Sequence, residues 1–64
     1  MFIIKNFETG DYFIGFQRRG DPRWTTEEAD AKRYPARDIQ KVRHDIALIQ
    51  KAGYTDVNAV NVRR

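Results

Sequence analysis

Between Ala36 and Ala52, apolar side chains recur at Ile39, Val42, Ile46 and Ile49. Steps of three, four and three place all four on one side of an α-helix. Gly53 comes directly after, where helices commonly stop in a left-handed cap. The pattern predicts a helix from Ala36 to Ala52 whose apolar stripe must be buried against a second layer.

The rest of the chain has to supply that layer within 64 residues. A domain of this size buries only about 60% of its unfolded surface, so a single domain spanning residues 1–64 is expected. Eight aromatic residues argue for a true core and against disorder. The absence of Cys removes disulfides and thiolate metal sites, and with them the usual marks of a secreted chain. The run Phe2-Ile3-Ile4 is too short for a signal peptide or a membrane span. A soluble, cytoplasmic protein without a membrane partner is expected.

Met1–Phe7 and Tyr12–Gln17 are rich in aromatic and β-branched residues and are separated by Glu8-Thr9-Gly10-Asp11. A short loop with Gly at its third position suits a type I turn closed by a left-handed Gly, so the two runs predict a β-hairpin. Simple alternation puts Tyr12, Ile14 and Phe16 on one face of the second strand, with Phe13, Gly15 and Gln17 on the other. It likewise separates Phe2 and Ile4 from Ile3, Lys5 and Phe7. Both faces carry apolar groups, which predicts one face under helices and the other partly exposed or covered by a partner.

Arg18–Arg23 reads as a turn, because Gly20-Asp21-Pro22 resists helix and central strand alike. Arg23-Trp24 adds a stub of strand. Thr25 and Glu28 have the spacing of a capping box, with Trp24 placed to staple the helix after it. That helix is expected from Thr26 to Arg33, ended by Pro35. After Gly53, Val57–Arg64 is expected to close the sheet as a strand, with a bulge where its alternation is imperfect. The predicted architecture is α+β: an antiparallel sheet of about three strands, in the order β-β-α-α-β, with helices packed on one face.

The series Ile4-Lys5-Asn6, Thr9-Gly10-Asp11-Tyr12-Phe13, Gly15-Phe16 and Trp24-Thr25, together with the helix-Gly-strand ending, resembles small single-domain proteins common in bacteriophages and prophages. The likeness spans most of the chain and includes no catalytic motif. It implies a protein that inhibits or modulates a host macromolecular complex by binding it, in the manner of anti-CRISPR proteins. The partner so implied is a host protein or ribonucleoprotein complex, such as a CRISPR or other nucleic-acid-handling effector, met in the host cytoplasm.

Catalytic chemistry finds little support in the residues. The chain has neither Cys nor Ser to serve as nucleophile. His44 is the sole histidine, and Asp45 points about 100° away from it around the helix. One His and scattered Asp lack metal-ligand spacing, and no Gly-rich phosphate loop is present. No enzyme activity, metal or cofactor is expected. Arg19-Gly20-Asp21 is the tripeptide read by integrins, but here it is turn chemistry.

Two surfaces are the candidate contact sites. Opposite the apolar stripe of the long helix lie Arg37, Lys41, His44, Leu48 and Lys51, a basic stripe interrupted by a leucine. In the bland reading this is a solvated helix back, with Leu48 covered by the short helix or its loop. In the functional reading Leu48 anchors a partner and the cations rim it. The second surface is the loop with Arg18, Arg19 and Arg23 together with Trp24, residue types enriched at binding hot spots and suited to nucleic-acid backbones. Glu27, Glu28 and Asp30 are more simply explained by the positive end of the short helix.

Six basic and six acidic residues balance in positions 1–35, whereas positions 36–64 carry six against three. The net charge of +3 therefore lies in the second half and permits an anionic partner without requiring one. A small basic nucleic-acid-binding module is the alternative function. A monomer or a small homo-oligomer using the second sheet face fits either reading.

Overall fold

A computed structural model describes residues 1–62. Its strands are β1 (Phe2–Asn6), β2 (Tyr12–Phe16), β3 (Pro22–Thr25) and β4 (Val57–Asn61), and its one α-helix is α1 (Ile39–Lys51). The strands form a single antiparallel sheet in the order β3-β2-β1-β4. The class is α+β, as the sequence predicts, with four strands rather than about three and one α-helix rather than two.

The β1–β2 hairpin is built on Asn6. This residue is 4% exposed, and its side chain accepts from the amides of Glu8 (2.9 Å) and Thr9 (3.4 Å). Gly10, at φ +83°, closes the turn by donating to the Asn6 carbonyl at 2.7 Å, a conformation that Gly adopts without steric cost. Pro22 opens β3, an edge strand, where the missing N–H costs little.

Simple alternation fails in β2. The register against β3 shifts between Phe13 and Gly15, a bulge that re-aims the side chains beyond it. Phe13 and Phe16, three apart, consequently pack together with ring centroids 4.8 Å apart. Both belong to the core formed around Ile4, Tyr34, Val42, Ile49 and Val57. This bulge in β2 is not expected from the sequence, and the one expected in the closing strand is absent over its described residues, where β4 pairs regularly with β1 from Phe2↔Asn61 to Asn6↔Val57. Arg63 and Arg64, included in the expected closing strand, lie outside the described residues.

The helix expected over Thr26–Arg33 is reduced to a 3₁₀ turn at Glu28–Asp30. Thr25 is still in β3, and its hydroxyl accepts from the Glu27 amide at 3.1 Å, a turn in place of a capping box. The backbone after this turn is taken by the sheet. The Lys32 amide donates to the Phe13 carbonyl at 3.0 Å, and Tyr34 exchanges two 2.8 Å bonds with Phe2. Direct pairing of β1 with β2 is confined to Lys5↔Tyr12, and Lys32–Tyr34 bonds both strands beyond it. A short segment without an apolar stripe gains more from these bonds than from an isolated helical turn.

A second 3₁₀ turn, Ala36–Asp38, leads into α1, so the α-helix begins three residues later than the periodicity suggests. Its end is as expected. The Gly53 amide donates to Gln50 at 3.0 Å and the Tyr54 amide to Ile49 at 3.3 Å, with Gly53 at φ +110°. These are the two bonds of a Schellman cap. Val42 and Ile49 are buried, and Ile39 and Ile46 pack on the same core. On the opposite face of β1, Ile3 is fully enclosed. Phe7, on the same face by alternation, is 51% exposed, so that face is partly open, one of the two outcomes expected for it.

Candidate functional site

The basic stripe of the long helix stands in solvent: Lys41, His44 and Lys51 on α1 and Arg37 just before it are all exposed. Leu48 is 40% exposed, which overturns the reading in which a short helix or its loop covers it. The segment expected to do so pairs with β1 and β2 instead.

In the second candidate surface, Arg18 and Arg19 occupy the β2–β3 turn and Arg23 lies on β3, all exposed. Trp24 belongs elsewhere. It is half-buried, with its ring 6.1 Å from Phe13 and 5.3 Å from Tyr54, and it packs against the core cluster. Its role is at the edge of the core, and the staple expected of it has no helix to hold.

The β2–β3 turn and the C-terminal half of α1, distant in sequence, border the same cleft. It is an open depression of about 490 Å³ lined by Phe16, Arg19, Gly20, Asp21, Leu48, Lys51 and Ala52. Three of the nine candidate residues meet here: Arg19, Leu48 and Lys51. Arg18, Arg23, Trp24, Arg37, Lys41 and His44 are not among its lining residues. Phe16 and Asp21 line the cleft and are not among the residues singled out from the sequence. The β2 bulge sets the placement of Phe16, and alternation alone does not disclose it.

Phe16 and Leu48 offer apolar surface to the cleft, and Arg19 and Lys51 offer positive charge against the single carboxylate of Asp21. Among the described residues none of these three charges is ion-paired; the salt bridge found is Lys32–Asp45. Ligand charge can therefore be met without first breaking an internal pair. Lys51 is also the basic residue of the last turn of α1, where it offsets the negative helix end. Arg19 has no such second duty.

A separate polar cluster runs from the buried Tyr34 and Asp45 out to the exposed Lys32. The Tyr34 hydroxyl donates to Asp45 Oδ2, and Lys32 Nζ lies 3.7 Å from the same oxygen. Burial, reinforced by the Asp45 carboxylate, pushes the Tyr34 hydroxyl far above its ordinary value, so the group holds its proton and acts as a donor. Sequence reasoning misses Asp45 too. It shares the buried side of α1 with Val42 and Ile49, and its spacing of three and four from them is the available signal.

Among the described residues, no three His, Cys, Asp or Glu side chains are grouped to hold a metal ion. No helix there is long and apolar enough to cross a membrane. No family model, curated protein or solved structure matches the chain.

Proposed function

We propose that this chain is a small binding protein that inhibits or modulates a host macromolecular complex by covering a functional surface, through the cleft between the β2–β3 turn and α1. The observation that carries this reading is the meeting of Arg19, Leu48 and Lys51 around Phe16. Apolar anchors rimmed by cations are contact chemistry, and a few such residues commonly dominate an interface. The phage-type resemblance supplies the kind of partner: a host protein or ribonucleoprotein complex, such as a CRISPR effector.

Affinity capture with the tagged full chain, compared with Leu48→Asp and Arg19→Glu, tests this. The wild-type chain should retain a partner in stoichiometric amount after nuclease treatment, and both variants should fold and lose it. Equal retention by both variants would contradict the proposal. So would steeply salt-dependent binding of generic DNA or RNA in place of a protein, which is the behaviour of the alternative nucleic-acid module.

A further inference from the structure

We infer that the cleft takes an acidic protein segment carrying a bulky apolar residue, with that residue seated on Phe16 and Leu48 and a carboxylate held by Arg19 and Lys51. The inference rests on reading the cleft as the contact site and goes further by naming the chemistry of its occupant.

Charge complementarity selects this class. Of the charged residues lining the cleft, Arg19 and Lys51 are basic, and outside it the exposed Arg18, Lys41 and His44 extend the positive charge along the turn and the helix. Asp21 is the one carboxylate lining the cleft. A cationic segment would meet Arg19 and Lys51 with like charge, while an acidic one meets them with opposite charge. Guanidinium matches carboxylate as a two-pronged donor, which gives Arg19 directional as well as electrostatic preference. The apolar contact is needed too, because rim charges exposed to water contribute little alone. Phe16 and Leu48 supply it from opposite walls.

A polyphosphate strand is a poorer fit. It carries a negative charge at every nucleotide, so a strand lying along the cleft has no neutral position to set beside Asp21. A peptide can place a neutral residue there. Lys51 is partly engaged with the helix end, so Arg19 is assigned the larger share of anion recognition.

Fluorescence anisotropy with the full chain and labelled short peptides tests the inference. One peptide has a leucine–phenylalanine centre flanked by aspartate and glutamate, a second keeps the acids around a glycine–serine centre, and a third surrounds the apolar centre with lysine. Only the first should bind well, by about tenfold or more over either control, equivalent to about 1.4 kcal/mol. Arg19→Glu should weaken it by at least roughly tenfold, and Lys51→Glu by less. The inference is overturned if no peptide binds, if the lysine peptide binds as well as the acidic one, or if the charge reversals change nothing. It is also overturned if a single-stranded oligonucleotide of similar length binds more tightly. Failure with peptides alongside loss of the captured partner in Leu48→Asp would remove only the ligand class. Failure of both would remove the cleft as the contact site.

Discussion

The Tyr34 hydroxyl donates to the Asp45 carboxylate at 2.5 Å, tying the segment that bonds β1 and β2 to the buried side of α1. Tyr34 is 2% exposed and Asp45 9%, so each is the other's remedy for a polar group withdrawn from water. Lys32 reaches the carboxylate from the more exposed side and places its ammonium 5.1 Å from the Tyr34 ring centroid. The pair couples two elements that local propensity would leave independent.

Removing one member of this pair should therefore leave the other stranded, and removing both should cost less than the two losses added. Tyr34→Phe leaves a buried carboxylate short of a donor and should cost roughly 2–4 kcal/mol. Asp45→Leu strands the hydroxyl and should cost roughly 1–3 kcal/mol. The double variant should be destabilised by clearly less than their sum, the mark of direct coupling. Urea unfolding followed by the fluorescence of Trp24, the sole tryptophan, measures all three.

Alkaline pH should weaken the fold through the same tyrosine. Burial first, then the hydrogen bond and charge of Asp45, raise the hydroxyl of Tyr34 in the native state. The unfolded chain releases this proton near pH 10, while the folded chain retains it. The contribution is full below about pH 10 and is lost above it, at up to about 1.4 kcal/mol per pH unit. Chemical unfolding at a series of pH values should show a shallower alkaline decline in Tyr34→Phe than in the wild type.

Neighbours on α1 should behave oppositely. Ile49 is fully buried while Leu48 is 40% exposed. Ile49→Ala should cost roughly 2–5 kcal/mol by opening the core, and Leu48→Ala should stay within about 0.5 kcal/mol of wild type. Thermal unfolding of the two variants checks the contrast, and a large loss in Leu48→Ala would mean that this side chain is packed.

The hairpin, the long helix and its Gly53 stop are legible in the sequence because each depends on local rules: a turn glycine, a 3.6-residue period and a positive φ. Lys32–Tyr34 is not legible as a sheet-bonding segment. Its partners, Phe13 and Phe2, lie 19 to 32 residues away, and Thr25 with Glu28 imitates a helix start at short range. Arg19, Leu48 and Lys51 can each be singled out as exposed contact candidates, but their meeting depends on how the β2–β3 turn sits beside α1. Alternation sets Phe13 and Phe16 on opposite faces, whereas they pack together, because the β2 bulge is specified by pairing with β3.

The central claim is that partner contact is made at the cleft. Amide chemical-shift mapping of the full isotopically labelled chain, titrated with the captured partner, tests it most directly. The largest changes should fall on Phe16, Arg19, Gly20, Asp21, Leu48 and Lys51. Changes confined instead to the opposite side of the sheet, around Lys5, Phe7 and Tyr12, would contradict the account.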